Sequence, residues 1–348
     1  MLHKLSTKLR EASVIWYIFV GITIWAFFIS YMHFKLNTEY SERPVVAMGY
    51  MPVVTNLAAP IMDYVSKKDG EIRYRALKYA SFAEMAESLR HGQIDAAFMI
   101  APLSIVLRQQ GEDVKVVYIG NRHESTLVAR KELSIEKLED LEGMTLAVPM
   151  RYSGHNLSIL KLIEEKGLRG RINVVEMNPP DMASALSTGS LDAYYVGEPF
   201  AAQTLKSGHA QLVNYVEDVW PGFICNLVVV RQKFIDDKPE VVQHMVQSAI
   251  RSGLWAQENQ QQAIEIAAQY WNQAEGLVEY AMTTPENRIV YNQYLPVEDE
   301  LQYMADLLVK FNMLENADVS GLVEDRFAKS ANTENITTSQ SIITLQAD

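Results

Sequence analysis

Between residues 45 and 231 short apolar runs alternate with stretches whose apolar positions recur every three to four residues. The runs at 45–50, 73–78, 94–99, 114–119, 125–129, 144–148, 172–176, 191–196 and 224–230 predict strands. The stretches near 55–66, 82–91, 102–110, 155–166, 181–188 and 198–206 predict amphipathic helices. Strands that are apolar on both faces and separated by helices imply βαβ units, with parallel sheet covered on both sides. After residue 232 only helical patterns remain, at 238–257, 260–270, 274–283 and 297–313. The final segment, KSANTENITTSQSIITLQAD, is polar and weakly patterned, and a mobile tail is expected there.

The pattern repeats. RHGQIDAAFMIAP at 90–102 aligns without a gap to STGSLDAYYVGEP at 187–199, matching Gly92 to Gly189, Asp95 to Asp192 and Pro102 to Pro199. An earlier pair, VVAMGYMPVVTNL and TLAVPMRYSGHNL, matches Ala47 to Ala147, Asn56 to Asn156 and Leu57 to Leu157. Two phrases repeated in the same order predict two similarly built lobes. Ligands of open parallel α/β sheets bind beyond the carboxyl ends of the strands. The loops 49–56, 100–103, 149–156 and 197–200 therefore converge on one cleft, if the lobes face each other. The fold class expected is α/β, a two-lobed clamshell of mostly parallel sheets.

Residues 13–31 carry no charge and follow Lys4, Lys8 and Arg10. At about 1.5 Å per residue this stretch nearly crosses a bilayer core of roughly 30 Å. It ends in FFISYMHFKLN without an Ala-x-Ala site, which favours an uncleaved anchor over a cleaved signal peptide. The basic residues would stay inside. The expected order is a cytoplasmic N-terminus at 1–12, a transmembrane anchor at 13–32 and a linker at 33–44. The rest would lie on the periplasmic side of a bacterial inner membrane, or free in the periplasm if the segment is cleaved.

A net charge of −12 argues against a nucleic-acid or anionic-membrane surface. The single cysteine, Cys225, excludes an internal disulfide framework and a cysteine-based metal site. No nucleotide-binding, nucleophile-elbow, zincin or dithiol motif is present, so a binder is expected rather than an enzyme, with no cofactor or metal.

Within the four loops, RYSGHN at 151–156 is the densest polar cluster. Ser153 or Gly154 is placed to cap a helix whose N-terminus attracts anions, and Arg151, Ser153, His155 and Asn156 offer donors. A capped helix beside an exposed arginine is the plainer reading. Tyr50, Thr55 and Asn56 occupy the matching loop, with strand-end packing as the alternative for Tyr50. Ala101 and Pro102 leave backbone accessible. Arg122 and His123 sit in a loop between strands, where hinge or rim positions are expected. Glu198 repels a bare anion unless it pairs with Arg151 or His155, accepts from a ligand amine, or simply serves its helix N-terminus. Phe200 and Trp220 can form apolar walls.

The segments GQIDAAFMIAP, VPMRYSGHNL, PPDMASALSTGSLDAYYVGEPF and VWPGFICNLVVVR resemble the solute-binding proteins of the nitrate/sulfonate/taurine class of ABC importers. That class has the type II periplasmic binding fold. The resemblance implies lobe 1 at 45–129, lobe 2 at 130–231, a helical return to lobe 1 at 232–325 and a tail at 326–348. It implies hinge crossings near 129 and 231 and closure around a small anionic or zwitterionic solute. It also implies one partner, an ABC permease with its ATPase, and an otherwise monomeric chain. A histidine near this position resembles an anion contact in nitrate- and bicarbonate-binding relatives, which brings His155 forward. Those relatives also resemble this chain at a loop that carries lysine, but no lysine lies between Trp220 and Asn226. That departure favours a larger solute with more apolar wall. The fungal pyrimidine synthase of thiamine biosynthesis shares the fold but carries several cysteines where this chain has FICNL. A pyrimidine-precursor binder and a membrane-anchored ligand sensor remain the alternatives.

Overall fold

A computed structural model describes the backbone of residues 2–37 and 43–344, with side chains from residue 16 onward except 36–42. The expected 1–12 segment's basic side chains, residues 38–42 of the expected linker and residues 345–348 lie outside the described residues; the linker's first five positions, 33–37, continue the helix instead. The chain divides into two units, Met1–Pro44 and Val45–Asp348.

The first unit is one helix, α1 (Leu2–Asn37). Its stretch Trp16–Lys35 is long and apolar enough to cross a membrane. Large apolar side chains, including Trp16, Phe19, Ile22, Trp25 and Phe28, are exposed around its whole circumference. A helix with no polar face suits lipid better than a protein surface. Thr23 returns its hydroxyl to the carbonyl of Phe19 at 2.9 Å, which satisfies it within the helix.

The second unit holds two five-stranded sheets of matching design. The first uses β1 (Val45–Tyr50), β2 (Arg73–Lys78), β3 (Ala96–Ile100), β4 (Val114–Ile119) and β10 (Asn226–Arg231) in the order β2-β1-β3-β10-β4. The second uses β5 (Ser125–Arg130), β6 (Thr145–Val148), β7 (Asn173–Glu176), β8 (Ala193–Gly197) and β9 (Ala210–Tyr215) in the order β7-β6-β8-β5-β9. In each sheet the first three strands are parallel. The fourth, contributed by the other half of the chain, runs antiparallel to both neighbours. Helices α2 (Ala58–Ser66), α3 (Phe82–Arg90) and α4 (Ala101–Gln109) belong to the first lobe. Helices α5 (Gly154–Glu165), α6 (Pro179–Ser187), α7 (Phe200–Lys206) and α8 (Val216–Val219) belong to the second. The helical return comprises α9 (Gln232–Asp237), α10 (Pro239–Glu258), α11 (Gln260–Trp271), α12 (Glu275–Thr283), α13 (Glu298–Lys310) and α14 (Arg326–Lys329). One apolar cluster runs from Val116 and Leu227 of the first sheet to Val196 and Phe200 at the end of the second. The lobes are therefore in contact.

The repeated phrase has one structural job done twice. Asp95 accepts the Ala47 N–H at 2.8 Å and returns its own N–H to the Ala47 carbonyl, fastening the turn before β3 to β1. Asp192 does the same for Thr145 of β6, at 2.9 Å. Gly92 and Gly189 have positive φ of 69° and 76°, and an arginine from the inserted strand covers each, Arg231 and Arg130 respectively. A side chain at either glycine would be strained and would meet that guanidinium.

Two expectations need correction. The crossings lie at residues 120–124 and 220–225, not near 129 and 231, because β5 already belongs to the second sheet and β10 to the first. The start of each inserted strand marks the crossing, and nothing in its apolar pattern distinguishes that end. The expected mobile tail is docked as far as residue 344. Ile342 and Ile343 are buried in the first lobe's core. The buried Arg251 donates to the carbonyls of Asn332, Glu334 and Ser341 at 2.8–3.1 Å, so the polar tail supplies acceptors that this guanidinium needs.

Candidate functional site

The four expected loops meet where the lobes touch. The loop after β1 reaches across, and the Val54 N–H donates to the Glu198 carbonyl at 2.9 Å. Asn121, in the first crossing, holds the Val54 carbonyl at 3.0 Å. Asn56 is buried and fixed, donating to the Met51 carbonyl at 2.9 Å and accepting from Asn226 at 2.8 Å. Gly120 is essential to this approach, since a Cβ there would come within 2.0 Å of the Thr55 carbonyl oxygen. Ala101, at the start of α4, donates its N–H to the Cys225 carbonyl at 3.0 Å, and Pro102 follows it, buried in the first helical turn.

At the centre are two buried carboxyls and one guanidinium. Glu198 accepts from Thr126 at 2.7 Å and from the Ala202 N–H at 2.8 Å, which caps α7. Its cation is neither Arg151 nor His155 but Arg288, at 3.9 Å. Arg288 enters from the loop after α12 and also binds Glu217 at 2.7 Å, Thr126 at 2.9 Å and the Ser125 carbonyl. Its guanidinium stacks 4.2 Å above the Tyr215 ring. Every one of these partners belongs to the second lobe, so the helical return reaches both lobes.

Glu124, in the first crossing, is fully buried and lies in the left-handed region at φ 48°, beside His123 at φ 77°. Its carboxylate accepts the Glu198 N–H at 2.7 Å and the Ser125 hydroxyl at 3.3 Å. It rests against Gly197, where a Cβ would come within 2.8 Å of Oε1. Burial, with the charge of Glu198 adding to it, pushes the Glu124 carboxyl up to about 8, against the pull of Cys225, Arg288 and the Glu198 N–H. Burial likewise raises Glu198 above the usual carboxylate range, and Arg288 opposes it. The Cys225 thiol is raised by burial and by Glu124, which disfavours its thiolate form.

His155 stands in the first turn of α5, capped by Ser153, whose hydroxyl accepts the Asn156 N–H at 3.1 Å. Gly154 leaves room for Phe223, whose ring would lie 2.7 Å from any Cβ there. The imidazole packs edge-on against Tyr195 and Phe223, and Nε2 lies 2.9 Å from the Ser125 hydroxyl. Burial pushes it down to about 3, which favours the neutral imidazole, so any bond it makes to a solute would be a neutral one. Its Nδ1 and the Tyr291 hydroxyl are buried without a hydrogen-bond partner.

The structure thus brings Thr55, Asn56, Ala101, Ser153, His155, Asn156 and Glu198 together. It does not bring Tyr50, which points into the first lobe's core with its hydroxyl on the Tyr270 carbonyl at 3.4 Å. Phe200 is core beneath α7. Arg151 is exposed, its side chain over Tyr152 and its N–H on Glu176. Trp220 is half-buried on the second crossing, edge-on to Phe223 and Tyr303. Arg122 is in the first crossing, binding Glu300 through both terminal nitrogens at 2.6 and 2.9 Å and the Gly222 carbonyl at 2.6 Å. Sequence reading missed Glu124, Arg288 and Tyr291. Only Glu124 stood beside flagged residues, in GNRHES; Arg288 and Tyr291 lie in a loop that carries no motif.

Residues 39–271 match the NMT1-like family. The taurine-binding periplasmic protein of Escherichia coli is 28% identical over 177 residues, 50% of this chain and 54% of that protein. The chain thus spans about half the length of that relative. A putative aliphatic sulfonates-binding protein of Bacillus subtilis is 24% identical over 275 residues, 76% of this chain and 80% of that one. Among solved structures, the zinc-bound ligand-binding component of a Staphylococcus aureus ABC-type import system superposes with a TM-score of 0.75 at 22% identity. That match covers 84% of this chain and 100% of that one. Among the described residues here, no group of three His, Cys, Asp or Glu is placed to hold a metal. Matching over two thirds of its length, and sharing the two-sheet fold of ABC-importer binding proteins, the chain belongs to the NMT1-like family.

Proposed function

We propose that this chain is the extracytoplasmic solute-binding component of an ABC importer, closing on a small solute between its two lobes. The observation that carries the reading is the Val54–Glu198 contact at 2.9 Å, made where four helix-leading loops and a set of buried polar groups meet. The contact joins the leading loops of the two lobes, as closure around a solute requires. Of the two solute classes expected, a zwitterion fits better than a bare anion. The buried cations there, Arg288 and Arg122, are already paired with carboxylates, and His155 is neutral. Binding rather than catalysis is the role, in line with relatives that are named as taurine- and sulfonates-binding proteins. Trp16–Lys35 tethers the chain to the inner membrane, and the partner is the permease with its ATPase.

Calorimetric titration of the full chain in nanodiscs tests this against aminosulfonates, sulfonates, amino acids, nitrate and pyrimidines. Saturable binding of one class, with stabilisation against heat, is expected. Silence across the whole set would remove the solute-binding reading. A pyrimidine hit would select the alternative ligand.

A further inference from the structure

The carboxyl of Glu124 has no structural requirement that a neutral side chain would not meet. It holds no helix dipole and is bonded to no arginine among the described residues; Arg288 spends its nitrogens on Glu217, Thr126 and Ser125, lies 3.9 Å from Glu198 and acts on Glu124 only through its charge. Yet the backbone is held in the left-handed region to place it, and Gly197 is kept bare beneath it. Strain of this kind at a non-glycine residue points to function. Around it the groups that face inward are Cys225, Ser125, Glu198, Tyr291 and, through Ser125, His155. Two of them, Tyr291 and His155, have buried polar atoms without a partner, so hydrogen-bonding capacity there is unspent.

Charge decides what that capacity receives. Glu124 and Glu198 are buried together with one guanidinium, which Glu217 also shares. Glu198 and Arg288 alone balance, so ionising Glu124 leaves one negative charge in excess even before Glu217 is counted. An oxyanion placed here meets charge of its own sign in a dry site; a protonated nitrogen supplies the missing cation.

We propose that Glu124 is the specificity-determining carboxyl of this chain, receiving a protonated amino group of the solute. The proposal rests on solute binding between the lobes and adds the chemistry that one end of the solute carries. The solute's nitrogen takes the place of the proton that burial otherwise keeps on Glu124. The remaining acceptors, His155 Nδ1 and the Tyr291 hydroxyl, suit further N–H groups.

The test uses matched pairs that differ in one amino group: 2-aminoethanesulfonate with ethanesulfonate, and 3-aminopropanoate with propanoate. The full chain is titrated with each by calorimetry. At least one amino member should bind tenfold or more tightly than its match. Glu124→Gln, which keeps the size and one acceptor, should bring the pair within about threefold. A second variant, Gly197→Ala, displaces the carboxylate from beneath and should narrow the preference in the same direction. Equal binding of both members, or a preference that survives Glu124→Gln, overturns the proposal and leaves solute binding standing. Absence of binding by all four compounds overturns the proposal, and solute binding falls with it only when the wider set of solutes is silent as well.

Discussion

The N–H of Val54 donates to the carbonyl oxygen of Glu198 at 2.9 Å, and this bond joins the first lobe's leading loop to the second lobe's. It can be removed with little change to the backbone, although Val54 is also buried in the first lobe's core. Val54 is the first residue of a short helical turn, where proline is tolerated, and Val53 before it is already extended at φ −126° and ψ 156°. Val54→Pro should lower thermal stability only modestly, through repacking of this buried core position, while weakening solute binding by about fivefold, the worth of one ordinary hydrogen bond of about 1 kcal/mol. Paired calorimetry and melting curves read both effects.

Arg288 is the only cation within reach of two second-lobe carboxylates, Glu198 and Glu217, among the described residues. Arg288→Met leaves Glu198 buried without a counter-charge and should cost about 3–5 kcal/mol in urea denaturation. Adding Glu198→Gln should return much of that loss. If the double variant is no more stable than the single, Arg288 acts through packing on Tyr215 instead.

Two buried groups predict opposite pH dependences. The folded His155 titrates near 3, below its ordinary 6.5, so the unfolded chain binds that proton more readily. Its contribution is complete above about pH 6.5 and is lost as pH falls toward 3. Glu124 titrates near 8 when folded, above its ordinary 4.5, so its contribution is complete below about pH 4.5 and is lost as pH rises through 8. Each slope is at most about 1.4 kcal/mol per pH unit. Glu124→Gln should therefore flatten the decline between pH 5 and 8, and His155→Asn the decline below pH 6, in melting temperature measured against pH.

The docked tail should matter for folding. Ile342→Ala removes a fully buried side chain and should cost about 2–5 kcal/mol. Truncation after residue 331 should cost more, because Arg251 then loses its carbonyl acceptors as well. A melting temperature unchanged by the truncation would show the segment to be dispensable.

Most elements were legible in the sequence because local patterns dictate them. Buried strands such as β3 and β8 are continuous apolar runs, and Gly92 and Gly189 announce the helix ends before them. The edge strand β9 escaped notice because it is half-exposed and Gln211 and Asn214 break its apolar run. The crossings escaped because β5 and β10 read as strands but not as members of a particular sheet. The site was legible only where it sits at helix starts, as with His155 and Glu198. Arg288 meets the Ser125 carbonyl from 163 residues away, and no periodicity encodes that contact. The tail misled because its two buried isoleucines are outnumbered by polar neighbours.

Closure on a solute is the central claim, and the groove lined by Ala83 of the first lobe and Asn178 of the second offers a direct gauge. Both residues are exposed, so cysteines there can carry spin labels while Cys225 stays buried and unlabelled. Pulsed electron resonance on the full chain would give the distance between them with and without a solute shown by calorimetry to bind. The account predicts a broad or longer distribution without solute that collapses to one short, narrow distance at saturation. A distribution that saturating solute leaves unchanged would contradict it.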